Sequence, residues 1–221
     1  MIKPKVLDPR ITVGDREMFD FLCPKPKDIT LRQIVYSISK MCRFTGHVAP
    51  AHDPDAIYSV AEHCILVSRI AAYLHIWNQE PERRAAAVAM DALMHDAHEA
   101  YVGDVSSPLK SLIRELYKPI ENRAEDAVIE RFRLTPRAQR SPLVKVADTM
   151  AYLIERDTIM PRLLETHPEH KYLPWPIEYK NNEKQIRSLF QVHCYSPAKA
   201  RMEFEERFFA LDRTRYQSWT H

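Results

Sequence analysis

Met94-His95-Asp96-Ala97-His98-Glu99-Ala100-Tyr101-Val102-Gly103-Asp104 is the stretch on which the reading of this chain turns. It closes an alanine-rich run that starts near Pro81 and passes through RRAAAVAMDALMHDAHEAY. That run predicts a helix ending at Gly103, a natural residue just past a helix end. Neighbouring side chains on one helix point about 100° apart, so His95 and Asp96 reach a single ion only where a helix end approaches it closely. Glu99 lies one turn beyond His95, on the same face. Imidazole with carboxylate suits zinc, iron, manganese or cobalt rather than calcium.

Two ligands are not a site, and further ones must come from other helices. His63 follows Ser59-Val60-Ala61-Glu62, which reads as a capping box: the serine accepts the N3 amide and Glu62 reaches back. Asp148 sits mid-helix in SPLVKVADTMAYL among Val144, Val146, Ala147 and Ala151, where an unpaired carboxylate is costly to bury. Metal ligation accounts for it. Each residue alone has a plainer reading: His63 as a hydrogen-bonded core histidine, Asp148 as an exposed helix residue, His95-Asp96 as a chance dipeptide. Their order on three helical segments points instead to one centre.

The remaining pattern is also helical. Leu31, Ile34, Val35, Ile38 and Met41 recur at three- and four-residue steps and predict a helix from Asp28, stopped by Gly46. VAPAHDPDA reads as a loop. Ser107-Pro108, Ser141-Pro142 and Ser196-Pro197 each signal a helix start. Residues 161 to 190, with Pro161, Pro168, Pro174 and Pro176, read as an irregular excursion with a short helix at 182 to 190. A β-hairpin is expected only within residues 1 to 25, where Gly14-Asp15 separates ITV from FDFL. The expectation is an all-α bundle: an N-terminal segment over 1–27, a core over 28–160, and a C-terminal extension over 161–221 packed on the same domain.

Composition excludes several classes. The net charge is +2, too mild and too dispersed to suggest a stable nucleic-acid surface. The three glycines, Gly14, Gly46 and Gly103, are too far apart for a glycine-rich phosphate cradle. Phosphate chemistry would need a metal, basic side chains or helix N-termini instead. Cys23, Cys42, Cys64 and Cys194 form no C-x-x-C pair, which suits free thiols in a reducing cytosol. No apolar run approaches the roughly 20 residues of a membrane span, and MIKPKVLDPR lacks the apolar stretch of a secretory signal. The expected location is cytoplasmic.

The order H…HD…D resembles the HD superfamily of metal-dependent phosphohydrolases. His95-Asp96-x-x-Glu99, then Asp104 followed by VSSPLK, resembles bacterial HD-domain 5′-deoxynucleotidases. CRFTGH followed by YSVAEH is similar to a prophage branch, and phage HD enzymes that strip triphosphate from dATP share the plan. The resemblance spans about residues 30 to 155 and implies an HD-domain helical bundle. It implies one divalent ion (Mn, Co, Zn, Mg or Fe) on His63, His95, Asp96 and Asp148, with Glu99 and Asp104 as catalytic carboxylates. It places Arg43 and Lys110 on the substrate phosphate and Phe44 against the sugar. A longer 47–57 loop and the segment after residue 160 depart from the compact family, and both bear on substrate choice.

A nucleoside 5′-monophosphate is the first expected substrate and a dNTP, cleaved to nucleoside and triphosphate, the second. The expected partner is that small molecule, with no membrane and with assembly as a homo-oligomer. An iron oxygenase of the same fold needs further histidines after the HD pair, and none occurs between His98 and His167. A non-catalytic nucleotide-binding protein would not need Glu99 and Asp104 beside a full ligand set. Of the other histidines, His98 reads as packing more readily than as a partner of the site, His47 is as open to facing the pocket as not, and His193 reads as structural.

Overall fold

The computed structural model describes residues 8–14, 16–50, 53–160 and 174–217. Among them run a two-stranded hairpin, β1 (Arg10–Val13) and β2 (Glu17–Asp20), and nine α-helices. The helices are α1 (Leu31–Ile38), α2 (Val60–Trp77), α3 (Ala85–Leu93), α4 (Glu99–Val102), α5 (Ser107–Leu112), α6 (Arg114–Phe132), α7 (Pro142–Ile159), α8 (Glu183–Leu189) and α9 (Pro197–Gln217). The all-α expectation holds, and so does the N-terminal hairpin, with Arg10 opposite Asp20 and Val13 opposite Glu17. No helix among the described residues is long and apolar enough to cross a membrane.

The apolar stripe of α1 buries Ile34, Val35 and Ile38. Its start is set by a reciprocal cap that the sequence reading passed over: Thr30 Oγ1 accepts the Gln33 amide at 3.2 Å and Gln33 Oε1 accepts the Thr30 amide at 3.0 Å. The helix stops at Ile38, well before Gly46. Strand-like pairing ends it: the Val60 amide donates to the Met41 carbonyl and the Arg43 amide to the Tyr58 carbonyl, both at 2.9 Å. Arg43–Gly46 then forms a short 3₁₀ turn in which Phe44 and Thr45 have φ of +54°.

Helix α2 is the central post. It is buried on nearly every side, as expected when other helices cover it all round. Helices α3, α7 and α9 pack on it. One apolar cluster joins Val60, Ile65, Met90, Leu93 and Phe204; a second joins Ile70, Leu74, Ala147, Met150 and Ile186. The expected capping box at α2 forms by half. Ser59 Oγ accepts the Glu62 amide at 3.2 Å. Glu62 does not reach back. Its buried carboxylate accepts the amides of His193, Cys194 and Tyr195 at 2.6, 3.0 and 2.7 Å. Three converging donors satisfy a buried carboxylate better than one cap amide, and they clasp the chain entering α9 to α2.

The continuous helix expected over 81 to 103 is broken into a 3₁₀ turn (Glu82–Arg84), α3, a turn over 94–98, and α4. The Ala97 amide bonds the Met94 carbonyl and the Glu99 amide the Asp96 carbonyl, at 3.1 and 3.0 Å. These three-residue steps wind the chain more tightly than an α-helix. Gly103, with φ +83°, closes α4 as expected.

Ser141 and Ser196 cap α7 and α9 through the Leu143 and Lys199 amides, each at 3.3 Å. The third Ser-Pro pair is shifted by one: Ser107 is already helical and Ser106 precedes it without a side-chain cap. Residues 161–173 of the expected excursion lie outside the described residues; beyond them a 3₁₀ turn (Ile177–Asn182) leads into α8, at the position of the expected short helix.

The clasp has a measurable consequence. Glu62→Ala leaves three amides of the 193–195 segment without their acceptor, at about 1–3 kcal/mol for each one kept from water. A loss of about 3 kcal/mol in urea unfolding, at unchanged m-value, is expected; a loss under about 1 kcal/mol contradicts the clasp.

Candidate active site

Three elements bring the chemistry together. The first turn of α2 carries His63, the 94–98 turn carries His95 and Asp96, and the middle of α7 carries Asp148. Asp96 Oδ2 lies 3.1 Å from His95 Nε2 and 3.6 Å from His63 Nε2. Asp148 Oδ1 lies 3.4 Å from His63 Nε2, while its other oxygen is held by Lys145 at 2.7 Å. The ligand atoms of His63, His95 and Asp96 all lie within 4.8 Å of one another, a spacing that can hold a metal ion. Asp148 adjoins that triad through His63.

Both imidazoles are oriented from behind. His63 Nδ1 meets Glu155 Oε1 at 2.5 Å, and His95 Nδ1 meets the Ala92 carbonyl at 2.8 Å. A carboxylate or carbonyl at Nδ1 places the proton there and leaves the Nε2 lone pair for a cation. Both Nε2 atoms are buried and have no hydrogen-bond partner among the described residues. Orphaned, pre-oriented imidazole nitrogens beside a carboxylate fit a divalent cation.

The electrostatics agree. Burial opposes charge on Asp96, yet His95, then His63 and Arg43, hold its carboxyl well below the ordinary range. Asp148 is likewise depressed, burial being outweighed by the nearness of His63 and His95. Burial works against a charged His95, but Asp96 raises it well above an ordinary imidazole. The cluster thus favours positive charge at its centre.

Glu155 is the residue that sequence reasoning missed. It is fully buried and binds His63, the Tyr58 hydroxyl at 2.9 Å and Arg43 Nη2 at 3.4 Å. The signal was available: Glu155 follows Asp148 by seven residues, two turns along the same face of α7. Arg43 Nη1 also lies 3.8 Å from Asp96 Oδ2, so this arginine reaches the His/Asp cluster from the 3₁₀ turn. Its neighbour Phe44 is not part of the α1 stripe. Its φ is +54°, and its ring lies 6.3 Å from that of Tyr152 and 5.2 Å from the Arg43 guanidinium carbon.

The second group of charges sits on the α4 side. Glu99 is buried, and burial together with Asp96 and Asp104 pushes its carboxyl well above the ordinary range. Lys110 Nζ lies 3.4 Å from Glu99 and 2.9 Å from Glu121. Asp104 is raised chiefly by burial and feels Arg43, Asp96, Lys110 and His63. His98 is more than packing, since its Nε2 faces Glu121 at 3.7 Å. His47 is exposed, and His193 stacks on Tyr195 with ring centroids 5.0 Å apart.

A family model described as 5′-deoxynucleotidase YfbR-like matches residues 56–188. The chain belongs to the YfbR-like family. The YfbR-like match makes this an HD-domain chain of a phosphohydrolase family. It takes in His63, His95, Asp96, Glu99, Asp104, Lys110, Asp148 and Glu155. Arg43 and Phe44 precede the matched residues. Among curated proteins, the chain is similar to the uncharacterised protein YfdR of Escherichia coli K12, 36% identical over 129 residues, covering 58% of this chain and 60% of YfdR. It is similar also to an uncharacterised protein of Rhodobacter capsulatus, 34% identical over 143 residues, covering 63% of this chain and 67% of that protein. The match therefore spans less than two thirds of YfdR.

Because Glu155 fixes the His63 ring, Glu155→Gln should weaken metal affinity by about 10- to 100-fold without unfolding the protein. Competitive chelator titration with Mn or Co measures this. Equal affinity in wild type and variant contradicts the role given to Glu155.

Proposed function

We propose that this chain hydrolyses a nucleoside 5′-monophosphate to nucleoside and phosphate, using one divalent cation held by His63, His95, Asp96 and Asp148. The observation that carries the reading is the pair of buried Nε2 atoms beside Asp96, without a hydrogen-bond partner among the described residues, with Arg43 near Asp96 and Lys110 near Glu99. A divalent ion held there supplies charge neutralisation for phosphate oxygens and acidifies water.

The chain's own residues do the rest. Arg43 is held by Asp96 and Glu155 with its guanidinium edge toward the site, and its planar fork takes two phosphate oxygens. Lys110, steadied by Glu121, adds a point charge. Glu99 and Asp104 divide two tasks: one orients the attacking water and takes its proton, the other protonates the departing 5′-oxygen. Phe44 packs against C2′ of the sugar and leaves no partner for a 2′-hydroxyl. The family's description as a 5′-deoxynucleotidase supports a monophosphate over a triphosphate and deoxyribose over ribose.

Glu99→Ala and Asp104→Ala should keep metal and fold yet lose about 10²- to 10⁴-fold in kcat. Phosphate release with parallel metal analysis checks this, and a loss under about tenfold in both variants shows the carboxylates to be structural. Burying an unpaired hydroxyl costs about 1–3 kcal/mol, which corresponds to a preference for dNMP over NMP of roughly ten- to a hundredfold. That preference in kcat/KM should collapse in Phe44→Ala. Equal ribo and deoxy rates in wild type overturn the sugar gate.

A further inference from the structure

A cavity of about 940 Å³ lies between the N-terminal hairpin, α1 and α4. Among the described residues its lining holds the cations Arg16, Arg32 and Lys40 and the carboxylate of Glu17. Two of them gather at Tyr36, a half-exposed ring at the cavity wall: Lys40 Nζ lies 4.9 Å and the Arg32 guanidinium carbon 5.6 Å from its centroid. Arg201, reaching over from α9, stands 4.6 Å from the same ring.

Arg16, Arg32, Lys40 and Arg201 form no ion pair with a carboxylate among the described residues. Cations drawn to one ring repel one another, and an anion between them relieves that repulsion.

The cavity also has a neutral, directional end. Gln33 Oε1 accepts the Thr30 amide at 3.0 Å and the Tyr101 hydroxyl at 3.2 Å, which settles the orientation of the amide. Gln33 Nε2 is then left buried without a hydrogen-bond partner among the described residues. Ile11 and Val13 of β1 supply apolar wall beside it. Cations together with apolar wall and one spare N–H donor match a phosphate joined to a flat ring bearing acceptor atoms.

We propose that this cavity is a second ligand site that takes a mononucleotide. The phosphate sits against Arg32 and Lys40, and the base lies along Ile11 and Val13 with an acceptor on Gln33 Nε2. Ala100 and Tyr101 belong both to its lining and to α4, which begins at Glu99, so the site backs directly onto the catalytic helix.

The test is calorimetric titration of the full chain, loaded with Mn, using a nucleoside 5′-methylenephosphonate, which resists hydrolysis. Wild type should bind at two classes of site. Arg32→Ala/Lys40→Ala should lose one class, its affinity falling at least about tenfold, while kcat for phosphate release and the circular dichroism spectrum stay at wild-type values. Asp96→Ala should keep the class that the double variant loses. Equal stoichiometry and affinity in wild type and Arg32→Ala/Lys40→Ala overturn the proposal. So does equal displacement by inorganic phosphate, which marks a bare anion patch, or tighter binding of a single-stranded oligonucleotide, which marks an extended basic surface. Failure of all nucleotides to release phosphate would remove the hydrolase reading and leave this binding test intact.

Discussion

The break in the helical run between Leu93 and Glu99 is the constraint on which the site depends. On an unbroken α-helix, His95 and Asp96 would diverge by about 100°. The tighter three-residue steps from Met94 to Glu99 bring Asp96 Oδ2 to 3.1 Å from His95 Nε2 and into reach of His63. Just after the break, α4 carries Glu99 to within 3.4 Å of Lys110 and Tyr101 to Gln33 on α1. A stiffer helix here would cost the metal triad and its neighbouring carboxylate together.

Buried carboxylates do much of the joining. A carboxylate taken out of water must find donors or cations. Glu155 meets that need with His63, Tyr58 and Arg43, which ties α7, α2 and the 3₁₀ turn into one unit. Glu121 meets it with Lys110, Lys118 and His98, which ties α6 to α4 and α5. Glu62 meets it with backbone amides alone and anchors the approach to α9. Removing a cation from the Glu155 or Glu121 group leaves a buried carboxylate with fewer partners. Architecture and active-site polarity are therefore hard to separate by mutation.

Much of this was legible in the chain. The stripe from Leu31 to Ile38, the serine caps of α2, α7 and α9, and Gly103 at the end of α4 all follow local rules that tertiary contacts did not override. His63, His95 and Asp96 stood out by type and order because few buried positions tolerate such side chains. What escaped notice is long-range. Glu155 looks like an ordinary helix-surface glutamate until α7 lies against α2. Glu62 has the sequence of a cap residue and the surroundings of an anchor. The end of α1 was misplaced because residues 41 to 43 pair with Tyr58 and Val60, and no local pattern announces such a pairing. The break at 94 was misread for the same reason: its alanine-rich flanks favour helix throughout, and only the demands of the site explain the tighter turn.

The central claim is that His63, His95 and Asp96 form a metal centre on which phosphate release depends. Its most direct test is phosphate release from a panel of nucleoside 5′-monophosphates by chelator-treated protein, before and after stepwise return of Mn or Co. The account predicts no release from the stripped protein and a rise that levels off at one equivalent of metal per chain. Release undiminished by complete removal of metal, or no release from any nucleotide at full metal occupancy, would contradict it.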